Sequence, residues 1–500
     1  MKVVAAWDAE TKTACFVFFI LLFCYSYFFP RWADWNQNSR LDQVMAIVDQ
    51  RVLYIDDYRE NTGDYAFFEG HYYSDKAPGQ AFLGLPVYAA VKALVPRSWA
   101  ERLAARLDKG TAVQDTLRVG GTGIKADKVH AALALYALTL VTVSIPSAFL
   151  GSMLYTCLGC FTSQRKVRLE LTLAYGLATV AFPYAQSFVA HQLTAVCLFV
   201  AFLLAFCIKI RGDGGPLRLL IVGSLLGYSI ILDYPMIFIA ITVFIYSVIV
   251  LKPKRDVLYI IVALIVPGTM AAIYNYSIFH TPLPVAYSYS VLFPQHFNTG
   301  FMGFTGPTLR SVWGLTLSPY RGLFYISPFL LFSLPGFILG IRSKPSRVEC
   351  MILLASVLML FLFMAGVETW AGGNAVGPRH LCALAPLVII PICILIEKCG
   401  LWSILLFRAL ALLSFFSIWL QTLSGQSFPP EEITCPLVQY SWPRFIAGDI
   451  ARNVGTLLGL SRWYSLLPVV AIIVGGYLWL RISWNRPHVA GQVLHGRDGK

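Results

Sequence analysis

The feature that most constrains this chain is a succession of apolar runs. Each is close to the roughly 20 residues that a helix needs to cross a bilayer. They fall at 14–30, 131–158, 169–187, 190–210, 217–232, 235–251, 257–275, 323–341, 350–366, 381–397, 401–420 and 465–481. A chain patterned this way is expected to be an all-α polytopic membrane protein with about 12 transmembrane helices in a single domain over 1–500. The composition agrees. Only 13% of the 500 residues are charged, about half the share of an ordinary globular chain. A soluble multidomain enzyme, a disordered chain and a coiled coil are thereby excluded. The first run follows Lys2 and Lys12 and ends at Phe28-Phe29-Pro30-Arg31. It has no small-residue cleavage site, so it reads as an uncleaved anchor.

The polar segments between the runs are of two kinds. One kind is short and basic: 165–168, 209–218, 252–255, 342–347 and the tail 482–500. The other is long and mixed in charge: 31–130, 276–322, 367–380 and 421–464. Lys and Arg collect on the cytoplasmic side of a membrane. The first kind is therefore assigned to the cytoplasm, with both termini, and the second to the external face of what is expected to be a bacterial inner (plasma) membrane. The net charge of +13 divides accordingly. The cytoplasmic segments hold 19 basic and 8 acidic residues, the external ones 19 and 18. The basic excess is an orientation signal and does not point to nucleic acid. Of eleven cysteines only Cys435 lies in a long external segment, so no disulfide framework is expected there. Cys157-Leu158-Gly159-Cys160 has C-x-x-C spacing but no second pair or histidine near it, which argues against zinc or redox chemistry.

The first external segment, 31–130, is the largest. Within it 80–96 is apolar and rather short for a span, and reads as an interfacial or re-entrant helix. Residues 97–109 set Trp99, Leu103 and Leu107 on one side and Arg102 and Arg106 on another, the pattern of an amphipathic surface helix. Gly120-Gly121-Thr122-Gly123 reads as a flexible loop. The two halves show no internal repeat, and the spans hold almost no ionisable residues beyond Arg408 and His191. Both points count against a two-halved, ion-coupled transporter.

The informative polar residues converge on the external face. A sugar carried on a polyprenyl phosphate would present its phosphate there. Such a phosphate is a good leaving group, so the chemistry needs one carboxylate to take the acceptor's proton and cations to hold the phosphate. Asp42, Asp56 and Asp75 are the candidate bases, with Asp57 and Asp64 as further carboxylates. Arg40, Lys76, Arg321 and Arg379 are the candidate phosphate ligands. His71, Tyr73, His191 and Asp233 are further site candidates. Each has a plainer reading as well. An Asp in such a loop can be a solvated surface pair, and Asp233 a helix cap. The arginines can snorkel beside a span, and the aromatics can sit at the interface.

At these residues the chain resembles the GT-C superfamily of integral-membrane glycosyltransferases, in particular the protein O-mannosyltransferase and lipid A aminoarabinose transferase branch. Those enzymes carry interfacial helices in their first external loop. They have an acidic pair and an Arg after the first span, then a Lys-Pro-Pro-Leu-type motif. Ser74-Asp75-Lys76-Ala77-Pro78-Gly79 is similar to that motif, and Arg40 falls in the slot of the early Arg. The acidic pair appears here as Gln37-Asn38, and neither amide can act as a base, so the carboxylate must stand elsewhere. The resemblance implies an inverting transferase. It would move a hexose or pentose from a polyprenyl-phosphate donor to a hydroxyl of a protein, lipid or glycan acceptor. No cofactor is required by any spacing; Mg²⁺ or Mn²⁺ would be compatible with carboxylates beside a phosphate. Two alternatives stay open: a transporter or flippase of lipid-linked sugars, and a membrane ligase that transfers a whole lipid-linked glycan.

Overall fold

The computed structural model describes residues 2–32, 34–118, 120–212, 214–292, 294 and 301–485. The basic tail from 486 onward lies outside them. The chain is mostly helical, and its described residues hold seven helices long and apolar enough to cross a membrane. These are Ala9–Tyr27, Ala126–Leu158, Ala190–Arg211, Lys254–Phe279, Arg347–Gly366, Arg379–Leu423 and Arg462–Ile482. Three shorter apolar helices, Pro216–Leu232, Tyr234–Val250 and Pro328–Arg342, accompany them. This is the architecture of an all-α membrane protein. In hydrocarbon every backbone polar group must be satisfied within the segment, which a helix alone achieves for a single strand of chain. Hydroxyls inside the helices follow the same rule: Thr139, Thr142 and Ser147 each donate back to the carbonyl four residues earlier.

Several expected runs are broken. The run 169–187 is the helix Arg165–Leu177 and, after a break at Ala178, the short turn Ala181–Tyr184. The runs 381–397 and 401–420 lie in the apolar segment Arg379–Leu423, where two helices meet at Gly400 (φ 72°, ψ −157°). The run 323–341 comprises Leu323–Ile326, Pro328–Phe332 and Ser333–Arg342.

Charges sit between the helices as well. Arg408 donates to Glu170 at 2.9 Å, and Glu170 falls inside a run that the sequence reading counts as uncharged. Glu349 is fully buried and accepts from Lys209 and Tyr246, both at 2.7 Å. The largest apolar core joins the helices of 150–260 to those of 329–407. A second core gathers Phe28, Phe182 and Trp419, the last two rings stacked 4.5 Å apart.

Segment 31–125 folds over one end of the bundle. It contains the helices Trp35–Met45, Gly79–Leu94 and Arg97–Asp108. The last two occupy the segments expected to be interfacial, and Ala100 and Ala104 are the buried face of Arg97–Asp108. A hairpin joins Tyr65–Phe68 to His71–Ser74 with Phe68 opposite His71. Its two turn residues, Glu69 and Gly70, both have positive φ, the backbone that a two-residue hairpin loop requires.

Candidate functional site

The site begins at the end of the first helix. Asp34 caps Trp35–Met45, accepting from the Asn36 N–H at 3.1 Å. Ten of that helix's residues are buried although most are polar, so each polar group needs a partner. The Gln37 amide donates to the Arg31 carbonyl and accepts from the Phe188 N–H at 3.3 Å. The Asn38 amide donates to the carbonyls of Trp32 and Asn61, both at 2.9 Å. A carboxylate could make none of these donations. The amide pair is therefore structural: it ties the helix to the chain before it and after it. Arg40 donates to the Asn36 carbonyl at 3.0 Å, while its Nε is buried without a partner.

The hairpin delivers the second group. Ser39 Oγ donates to the Asp64 carbonyl at 2.6 Å and lies 2.7 Å from Ser74 Oγ. The strand end is thereby fixed on the buried helix. Lys76 Nζ then sits 2.8 Å from Asp64 Oδ2 and 2.9 Å from Asp75 Oδ1. Burial alone would depress the Lys76 ammonium, but the two carboxylates outweigh it and hold the pKa above the ordinary lysine range. Pro78 and Gly79 start the next helix. The Gly79 carbonyl accepts from Tyr228 at 2.7 Å, and a Cβ on Gly79 would lie 2.7 Å from the Ile231 carbonyl oxygen. Only glycine allows this approach to Pro216–Leu232.

These groups face a cavity of about 630 Å³. One part of its lining is charged: Asp34, Arg40, Asp64, Asp75, Lys76 and Arg379. Another part is apolar: Leu292, Met302, Phe363, Met364 and Val367. His191, Asp233 and His380 also line it, with Tyr287, Trp370, Glu431 and Glu432. One ligand atom from each of His191, Asp233 and His380 lies within 4.8 Å of the others. Gly372 and Gly373 adopt positive φ (76° and 65°) where the chain passes Arg379, whose Nε would lie 3.1 Å from a Cβ on Gly372.

Six of the candidate residues are therefore brought together: Asp75, Arg40, Lys76, Arg379, His191 and Asp233. Five are not among the lining residues. Asp42 is buried beneath the helix and accepts from Asn61 at 3.1 Å. Burial pushes its pKa up to about 8, the Asn61 hydrogen bond pulling the other way. Asp56 accepts from His71 Nδ1 and from the Tyr72 N–H, both at 2.7 Å. The two side chains fasten the hairpin, and His71 stacks on Tyr54. Tyr73 packs in the apolar cluster of Tyr274 and Phe279. Arg321 is fully buried and donates to the carbonyls of Ala375 (2.9 Å) and Gly373 (2.8 Å). It shapes the 372–377 loop and does not reach into the cavity.

Asp34 is a lining residue that the sequence reading passed over, while His380 is the neighbour of the candidate Arg379 in Gly377-Pro378-Arg379-His380. Asp34 is the first carboxylate after the first span, between Trp32 and Trp35, and that position was the available signal. Burial raises its pKa above the ordinary Asp range; Arg379 offsets the rise only in part, and Asp64 adds to it. A carboxylate poised this way can take a proton, beside arginines that can hold an anion. Compared with known proteins, the chain matches no family model and no curated protein.

Proposed function

We propose that the chain is an inverting glycosyltransferase that moves a sugar from a polyprenyl-phosphate donor to an acceptor hydroxyl. One observation carries the reading: a single cavity joins arginines and carboxylates to an apolar wall. An amphiphile with an anionic head and a hydrocarbon tail is complementary to such a surface. The tail would lie along Phe363, Met364 and Val367. Arg40 and Arg379, each with a buried Nε without a hydrogen-bond partner, would hold the phosphate and the charge it gains on leaving. Lys76 is already engaged by two carboxylates and would order the site more than grip the donor.

In this reading Asp34 is the general base. It removes the acceptor's hydroxyl proton as that oxygen attacks the anomeric carbon. The bond from that carbon to the phosphate oxygen breaks on the opposite face, and the polyprenyl phosphate leaves. Asp64 and Asp75 suit the role less, because both are already paired with Lys76, at 2.8 and 2.9 Å. The expected twelve crossings are compatible with the fold if the three short apolar helices cross, the broken segment of Arg165–Leu177 and Ala181–Tyr184 crosses as well, and the chain turns at Gly400. The cavity would then open on the external face of a bacterial plasma membrane, with both termini cytoplasmic. The test is turnover of purified protein with a panel of radiolabelled polyprenyl-phosphate sugars. Transfer of one sugar with release of the lipid phosphate supports the proposal. Transfer of an intact glycan would make the chain a ligase.

A further inference from the structure

We propose that His191, Asp233 and His380 bind one divalent transition-metal ion of the zinc type, in a site that opens on the cavity. The three residues come from three separate elements: the start of Ala190–Arg211, the junction after Pro216–Leu232 and the turn Arg379–Leu384. Yet one ligand atom from each lies within 4.8 Å of the others. The two imidazole rings meet edge to face with centroids 5.2 Å apart, and His191 Nδ1 lies 3.2 Å from Asp233 Oδ2. The packing does not satisfy the pair fully: His191 is buried, and its Nε2 has no hydrogen-bond partner. A histidine serving only as packing would normally have both ring nitrogens engaged or wet.

The charge of the cavity points the same way. Its described lining holds six carboxylates, Asp34, Asp64, Asp75, Asp233, Glu431 and Glu432, against the three cations Arg40, Lys76 and Arg379. An acidic excess of that size attracts a cation, and a bound dication would bring the lining close to neutral. The ligand set selects the ion. Two imidazoles and one carboxylate favour zinc and its first-row neighbours over Mg²⁺ or Ca²⁺, which prefer oxygen ligands throughout. Three protein ligands beside a cavity leave a coordination position open, as in catalytic rather than structural zinc sites. The metal site does not depend on the glycosyl-transfer reading, since it rests on the three side chains and the lining charge alone.

The experiment uses full-length protein in detergent, stripped with EDTA and titrated by calorimetry with Zn²⁺ and, separately, Mg²⁺. Metal content after desalting is measured by mass spectrometry. The expected result is about one zinc per chain and at least roughly 100-fold weaker binding of Mg²⁺. His191→Ala and His380→Ala should each lower zinc affinity by at least about tenfold, while His280→Ala leaves it unchanged. Equal zinc binding by the wild type and both site variants would overturn the proposal, as would Mg²⁺ binding as tightly as Zn²⁺. If a site variant does not elute as a folded monodisperse species, zinc-edge X-ray absorption of the wild type decides. Scattering from two imidazoles supports the site, and its absence rejects it. Neither readout involves turnover, so failure of the transferase reading would leave the metal result standing.

Discussion

Asp34 and Asp42 belong to the same short helix and have opposite surroundings. Asp34 stands at its N-terminus on the cavity, while Asp42 is sealed beneath it against Asn61. Asp34→Asn is expected to lower kcat by about 10²–10⁴-fold with little change in donor KM, the range for loss of a general base; steady-state kinetics on the purified variant measure both. Asp42→Asn should leave kcat within about twofold. Its effect is on stability. A carboxyl whose folded pKa is raised to about 8 is stabilising while protonated, and that contribution is complete below the ordinary Asp value near 3.8. It is lost as the pH rises toward 8, where the folded protein must bury a charge. Thermal unfolding of the wild type should therefore weaken across that window, and Asp42→Asn should flatten the slope and be the more stable protein at pH 8. Arg379→Ala is expected to raise the donor KM at least about tenfold, with Arg379→Lys intermediate, since a point charge cannot reproduce a bidentate grip. At this scale the sequence reading named six polar residues that the fold brings to one cavity, Arg40, Asp75, Lys76, Arg379, His191 and Asp233. It could not sort carboxylates, because Asp34, Asp42 and Asp56 differ in which way the backbone turns them, and no local pattern encodes that.

Apolar runs were legible at the level of elements because spanning a bilayer demands length and hydrophobicity, both of which are visible in the sequence. Breaks were not. The interruption at Ala178 and the segmented 323–342 stretch arise where tertiary packing satisfies backbone groups that a lone helix could not leave open. The hairpin also escaped, since Tyr65–Phe68 and His71–Ser74 are only four residues each and their aromatics read equally well as interface anchors. Its turn signal, Glu69-Gly70, is weaker than Asn-Gly or Asp-Gly. Gly79 shows how much depends on one close approach. Gly79→Ala would press a methyl into the Ile231 carbonyl, and the expected loss is about 1–3 kcal/mol, measured as a lower unfolding midpoint in detergent with activity falling in parallel. Arg321 makes a contrasting case. Arg321→Ala removes the clamp on the carbonyls of 373 and 375 and should loosen the loop that carries Arg379's neighbours. A raised donor KM is expected to accompany a lower unfolding temperature, whereas Arg379→Ala should raise KM without lowering the unfolding temperature.

For the whole molecule, the charge asymmetry of the segments was the strongest signal in the sequence. Segment 31–130, assigned to the external face, supplies Asp34, Arg40, Asp64, Asp75 and Lys76 to the cavity, while Glu10, Arg165 and Arg168, from segments assigned to the cytoplasm, form a separate ion-paired cluster. Cysteines introduced at Lys109 and Lys254 should accordingly be modified from opposite sides of sealed vesicles, Lys109 from outside in right-side-out preparations; labelling of both from one side would refute the assignment. The assembly of distant segments into one cavity is what the sequence could not display. Asp34, Asp233 and Arg379 are separated by most of the chain and meet only because the bundle folds back on itself. The central claim is that this cavity transfers a single sugar from a lipid phosphate. It is tested most directly by following a radiolabelled polyprenyl-phosphate sugar with the wild type and Asp34→Asn in matched membranes. The wild type is expected to release polyprenyl phosphate in equal amount to the glycosylated acceptor, with inversion at the anomeric carbon, and Asp34→Asn to bind the donor but turn it over at least about 100-fold more slowly. Intact donor recovered on the opposite side of sealed vesicles, with no sugar transferred by either protein, would contradict it.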